Sequence, residues 1–465
     1  MKRRALPAWL IGIAALLAGA IPAAASTDKQ ADPLVEPLTL ESCVRLALQR
    51  NPSLAAARSA VTASVEGVGE ARAPYLPEIS LNAGYGRWER HAFLPAGVSR
   101  SGMSTEIGPT DDWSAGLRAR LALFDSGRRR ARVGTAVARE GAASANLSRA
   151  RQDLILEAQA AYFGVLAAKE VLGVAEESVR RAQDHRHLAE ERLKEGAVPR
   201  ADVVHAEVEV ADARLARVRA ENLVRVASGR LATVLGLSPD ANLEVARRNW
   251  VATAPETVDL DRALEQAVSS RPALGAARKR VEATRQTVDL ARSTFGPRVV
   301  ADAGYGWRDD RFRPRDEDWS VGVAVEVPLF SGLSSVHGLA RARAEQAREE
   351  AEVERLALAV RQEVWTSHSR LRESYEALGV SGALVAQAQE NLRLARGRYE
   401  AGAGTLTELL DAEAALTRAE ASRTGARWDH QVAIATFRWA AGGLAEEGLA
   451  FGQGPRQGAG RLAVP

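Results

Sequence analysis

The 465-residue chain holds a single cysteine, Cys43, which excludes a disulfide framework and any cysteine-cluster metal site. Aromatic residues make up only 5% of the chain, fewer than the core of a β-sandwich of this size would use. Proline is absent between Pro109 and Pro199 and again between Pro328 and Pro455. No proline in either stretch would interrupt a helix. A comfortable transmembrane helix is also missing: the N-terminal apolar run, Ala5 to Ile21, is short and carries Pro7. With Lys2, Arg3 and Arg4 before it and Ala23-Ala24-Ala25 after it, the run reads as a secretory signal segment over 1–25. Cys43 lies well past that site, so no lipidation is expected, and it reads as a small buried residue. The chain's net charge of +3 also belongs to the signal segment. Its removal takes three basic residues and no acidic one, leaving 59 of each. The balance gives no electrostatic footprint for nucleic acid, and no nucleic-acid partner is expected.

What is present is a duplication. Residues 47–86 align with 267–306 at a constant offset of 220, with 16 identities in 40 positions. Pro52 matches Pro272, Pro77 matches Pro297, and Ala83-Gly-Tyr-Gly86 matches Ala303-Gly-Tyr-Gly306. The match resumes at an offset of 206, with Asp112-Trp113-Ser114 against Asp318-Trp319-Ser320 and Gly196-Ala197 against Gly402-Ala403. The change in offset makes 87–111 a longer version of the loop 307–317, since loop length varies cheaply. Each unit reads as helix, strand, loop, strand, very long helix, tight turn, helix. The first spans 38–237 and the second 262–442, with a linker over 238–261 and a Gly-rich tail over 443–465.

The strands alternate with period two. Trp113, Ala115, Leu117, Ala119, Leu121 and Leu123 share one face; Val321, Val323, Val325 and Val327 do so in the second copy, as do Ile79, Leu81, Ala83 and Tyr85. The runs are the length that tilted membrane strands need. Of the 23 aromatics, 12 fall within 75–124 and 295–330, near the strand ends, as two membrane interfaces would favour. Four strands per chain are too few for a closed barrel, and open edges are not tolerated in lipid. The chain is therefore expected to oligomerise, and three copies would supply twelve strands.

The stretches Gly127–Glu195 and Leu333–Ala401 are 69 residues each and would extend about 100 Å as helices. Their repeated charges, such as Arg128-Arg129-Arg130 and Glu349-Glu350, keep them out of lipid and imply a coiled-coil-like bundle in water. Each ends in a glycine turn, Glu195-Gly196-Ala197-Val198-Pro199 or Ala401-Gly402-Ala403-Gly404-Thr405.

These features together resemble the TolC-like outer membrane efflux family. The resemblance rests on Leu38-Thr-Leu-Glu-Ser-Cys-Val-Arg-Leu-Ala-Leu48 with Asn51-Pro52, on Leu123-Phe-Asp-Ser-Gly127 and Pro328-Leu-Phe-Ser-Gly332, and on the turns. The strongest turn motif is Arg398-Tyr-Glu-Ala-Gly402 continuing Thr405-Leu-Thr-Glu-Leu-Leu-Asp-Ala-Glu413; the weaker copy is Arg192-Leu-Lys-Glu-Gly196 continuing Ala201-Asp-Val-Val-His-Ala-Glu207. The resemblance implies a mainly α fold with a membrane β-barrel: a homotrimer whose twelve-stranded outer-membrane barrel continues as a helical tunnel across the periplasm. It implies passive export, with a periplasmic adaptor and an inner-membrane transporter as partners and outer membrane lipid around the barrel.

At residue level, Glu408 and Asp411 are three apart and share a helix face. The resemblance places them at the tunnel's narrow mouth, where threefold symmetry would build two carboxylate rings that favour cations. It pairs Asp202 with Tyr399 as a hydrogen-bonded gate latch. Gly196, Ala197, Val198, Gly402, Ala403 and Gly404 are the expected adaptor-contact tips, where small side chains permit close approach. His185 and His187, two apart, do not share a helix face and are not expected to bind metal. No nucleotide-binding or catalytic motif appears, so neither an enzyme nor a cofactor is expected. Two other readings compete with an efflux duct: the exit duct of a type I protein secretion system, and a periplasmic coiled-coil protein without a pore.

Overall fold

The computed structural model describes residues 37–91, 106–246, 259–312 and 316–443. The expected signal segment, residues 444–465 of the expected tail and residues 247–258 of the expected linker lie outside them.

The first half runs α1 (Leu40–Arg50), α2 (Pro52–Arg72), β1 (Glu78–His91), β2 (Glu106–Phe124), α3 (Arg128–Lys194) and α4 (Arg200–Val234). The second runs α5 (Leu260–Ser270), α6 (Pro272–Arg292), β3 (Arg298–Asp309), β4 (Glu317–Glu326), α7 (Ser334–Glu400) and α8 (Leu406–Ala440). Corresponding helices have equal lengths: 11, 21, 67 and 35 residues in each half.

Each half opens with two helices where one was expected. Pro52 and Pro272 cause the break: a proline has no N–H to donate and pushes the residue before it out of the helical region. Asn51 and Arg271 accordingly sit at ψ 125° and 122°. Asn51 also caps α2 by accepting from the Ser53 N–H at 2.9 Å, and its amide donates to the Val234 carbonyl at 2.9 Å.

The four strands form one antiparallel sheet in the order β1-β2-β3-β4. Paired residues share a face, so the register sorts the side chains. The rung Leu81–Leu117–Tyr305–Trp319 is apolar, and the neighbouring rung runs Ala83–Ala115–Trp307 before ending at Glu317. Ile79, Leu81, Tyr85, Leu117, Tyr305, Trp319, Val321, Val323 and Val325 are all exposed on that face. The opposite face carries Ser80, Asn82, Arg118, Arg120, Asp302 and Arg308. There Arg120 meets Asp302 at 3.1 Å, and the Arg308 Nε donates to Asp112 at 2.8 Å. β1 and β4 are edges without a partner among the described strands.

Residues 87–111 are expected as a lengthened loop; 92–105 lie outside the described residues, and 87–91 and 106–111 extend the ladder, with His91 opposite Glu106. The strands continue past Tyr85 and Trp113, whose rings lie 4.3 Å apart, into a charged stretch including Arg87, Glu89, Arg90, Asp111 and Asp112. Hydrogen bonding there needs no apolar alternation, so the hydropathy pattern did not mark it.

On the polar face Gly116 pairs with Gly306. A Cβ on Gly306 would lie 2.3 Å from the Ala115 carbonyl oxygen, so only glycine fits this approach. The corresponding Gly86 in the first half opens to empty space.

Beside the sheet the helices pack in the order α2-α3-α6-α7, the order of the strands they join; at the far end the order is α4-α3-α8-α7. The largest core lies where these arrangements meet. It includes Leu40, Cys43, Leu54, Tyr162, Phe163, Leu231 and Trp428. Cys43 is fully buried, and burial pushes its thiol up to about 12. A parallel bridge between Leu38 and Val245 and a hydrogen bond from Tyr162 Oη to the Ala246 carbonyl at 2.9 Å tie the ends of the first half together.

Candidate functional site at the hairpin turns

The long helices end in turns of matching geometry. Gly196 and Gly402 adopt φ +74° and +72°, the left-handed conformation that stops a helix. The Ala197 N–H donates to the Arg192 carbonyl and the Ala403 N–H to the Arg398 carbonyl, both at 2.9 Å. Beyond the turns, α4 starts after Pro199 without a side-chain cap, whereas Thr405 caps α8 by accepting from the Glu408 N–H at 3.2 Å. Gly196, Ala197, Gly402 and Ala403 are exposed and Val198 and Gly404 half-buried. All six expected tip residues thus lie at this end of the helical layer.

The hairpins meet through a small core of Ala189, Ala206, Tyr399, Leu406 and Leu409. Over it lies Arg192. Its guanidinium donates to the Tyr399 carbonyl at 2.5 Å and the Glu400 carbonyl at 2.6 Å, and stacks 4.5 Å from the Tyr399 ring. These are terminal carbonyls of α7 with no partner further along the helix, so a cation crossing from the other hairpin satisfies them. The expected Asp202–Tyr399 hydrogen bond is not formed. The Tyr399 side chain is buried and faces Arg192 instead, because the guanidinium stack holds the ring in the inter-hairpin core. Burial raises the phenol's pKa, Arg192 opposes the rise, and Asp202 acts on it through charge alone.

Glu408 and Asp411 stand exposed on the first turns of α8. Glu408 is not a bare carboxylate, since Arg398 folds back over its own turn to lie 3.5 Å from it and to donate to the Ala403 carbonyl at 3.3 Å. Both partners are about half exposed, so the pair contributes well under 1 kcal/mol. Asp411 makes no ion pair among the described residues.

Sequence reasoning missed a second cluster. His185 on α3 and Glu413 on α8 are both buried, with His185 Nε2 2.8 Å from the carboxylate. Arg181 Nε lies 2.9 Å from the other Glu413 oxygen, and its Nη2 lies 3.2 Å from both Glu420 and the Thr417 hydroxyl. In the sequence His185 stands out only beside His187, and Glu413 only as the end of the second turn motif. A usable signal existed: Glu413 follows Asp411 by two, so it points away from the Asp411 face.

The family model for outer membrane efflux proteins matches residues 43–237 and 263–443, covering both halves. The chain belongs to the outer membrane efflux protein family. Among its relatives is the protein CyaE of Bordetella pertussis, 29% identical over 409 residues, covering 87% of this chain and 82% of the relative. The pyoverdine export outer membrane protein OpmQ of Pseudomonas aeruginosa is 28% identical, over 82% and 80% of the two chains. The outer-membrane channel OprN superposes with a TM-score of 0.76 at 23% identity, over 87% of this chain and 90% of that one, which establishes the shared fold. Family membership accounts for the uncovered apolar sheet face, which an outer membrane protein turns to lipid.

Proposed function

We propose that this protein is the exit duct of a tripartite efflux system, passing small molecules out across the periplasm and outer membrane without a catalytic step. Three copies join edge to edge, β4 of one to β1 of the next, giving a twelve-stranded barrel continued by a helical tunnel. The observation that carries this reading is the sheet itself, with its apolar face exposed, its polar face opposite and both edges open. In lipid such edges must be paired, and only ring closure pairs them all. The edge helices support the same closure. Val208, Val218 and Val226 on α4 and Trp365, Val380 and Leu384 on α7 are exposed apolar residues, which a neighbouring copy would cover.

In this assembly the turns form the periplasmic mouth. Asp411, with Glu408, lines its constriction and favours cations. The Arg192 clasp onto Tyr399 and Glu400 holds the two hairpins of a protomer together in the resting state. Gly196, Ala197, Val198, Gly402, Ala403 and Gly404 receive the periplasmic adaptor, which links the duct to an inner-membrane transporter. A photo-crosslinking residue placed at Ala403 in living cells tests this. Capture of an adaptor together with a small-molecule pump is the expected result. Capture of a protein-secretion transporter would move the duct to type I secretion, and a soluble chain that captures neither would overturn the reading.

A further inference from the structure

The cluster around His185 lies on the seam between α3 and α8, where the hairpins of one protomer meet. His185 and Glu413 are each eleven residues from the turn glycine of their own hairpin, Gly196 or Gly402, which places the cluster about 16 Å from the tips. Between it and the turns lies the small core under Arg192. Any motion that parts the tips pulls on this seam next.

Its charges are unbalanced. From α3 come Arg181 and His185; from α8 come Glu413 and Glu420. From α4, Glu209 acts on the same site, and Asp212 acts on Glu209. Burial, reinforced by Asp212 and Glu413, raises the Glu209 carboxyl above its ordinary pKa, and His185 opposes the rise. With a neutral imidazole, one arginine faces three acidic side chains, Glu413, Glu420 and Glu209. A protonated imidazole supplies a second cation, 2.8 Å from a buried carboxylate, where a charge-assisted hydrogen bond is strong. Histidine is also the side chain whose charge ordinarily changes between pH 5 and 8.

We propose that the His185–Glu413–Arg181–Glu420 cluster is a pH-sensitive fastener of the inter-hairpin seam, tightening it in acid and loosening it as the pH rises. The sign follows from the charges. A proton on the imidazole gives the seam a second cation against Glu413, and its loss leaves Arg181 alone. The tips therefore lie closer together at pH 5 than at pH 8. The inference rests on the duct reading only for its physiological meaning, because its test reads the distance between hairpins and not export.

The test places spin labels on cysteines introduced at Ala197 and Ala403 of the full chain, diluted with unlabelled protomers. Cys43, buried and with its thiol pushed up to about 12, stays unreactive. In the wild type, pulsed electron resonance should show the 197–403 distance lengthening from pH 5 to pH 8. His185→Asn is expected to hold the pH 8 distance throughout, and His185→Lys the pH 5 distance throughout. If His185→Asn fails to fold, the lysine variant alone decides. A wild type without a pH response, or a response that survives His185 replacement and so belongs to Glu209, overturns the proposal. Failure of the duct reading would show instead as absent conductance with the distance response intact.

Discussion

At Gly196 and at Gly402 the chain makes the same turn. The φ angles differ by 2°, the capping hydrogen bonds agree in length, and each turn follows a 67-residue helix and precedes a 35-residue one. An arginine stands four residues before each glycine. Arg398 stays at home, bracing its own turn and meeting Glu408. Arg192 leaves its hairpin and closes on the carbonyls and ring of the other. The difference lies in the neighbours. Tyr399 gives the second hairpin a flat, electron-rich face for a guanidinium, whereas its counterpart in the first is Leu193. Duplication preserved a backbone, and one aromatic residue turned two equivalent arginines into a brace and a clasp.

The same contrast runs through the sheet, and there its consequences are largest. Gly306 and Gly86 are equivalent in sequence, yet only Gly306 is pressed against a neighbouring backbone. Gly306→Val is expected to abolish the folded, heat-modifiable outer-membrane form, while Gly86→Val leaves it near wild-type level. Electrophoresis of unheated membrane fractions checks the pair. Equal effects would mean that the two halves are as alike in packing as in sequence.

The next effect is at the clasp. Arg192→Ala is expected to raise resting conductance in planar bilayers several-fold, and Arg398→Ala to change it little, because charge-assisted bonds to helix-end carbonyls hold far more than a half-exposed ion pair. A larger effect from Arg398 would reverse the assignment. The smallest effect separates the two carboxylates that follow the second turn. Asp411→Asn is expected to shift the reversal potential in a salt gradient toward lower cation selectivity, and Glu408→Gln by less, since Arg398 already offsets that charge. Identical shifts would show that the Arg398–Glu408 contact is not kept in the assembled channel.

Much of this molecule is legible without coordinates. Proline-free stretches set the long helices, glycines their ends, and alternation the strands with their apolar face. These are local properties, governed by backbone chemistry and side-chain period. The extension of β1 to His91 and of β2 back to Glu106 was not legible, because outside the apolar band charged residues interrupt the alternation and the ladder is held by main-chain bonds. The break at Asn51-Pro52 was signalled by the proline itself.

The amino-acid sequence by itself determined the duplication, the element types, the face each strand turns outward and the residues gathered at the turns. Only the tertiary structure decided which of those residues touch. It placed Arg192 rather than Asp202 against Tyr399, paired Glu408 with Arg398, and buried His185 against Glu413 across 228 positions of chain. The physical reason is that periodicity assigns a side chain to a face, whereas a contact between hairpins depends on the lateral order and register of helices that meet far apart in the chain. That order, α4-α3-α8-α7, is written in no local pattern and emerges when the two halves pack against each other.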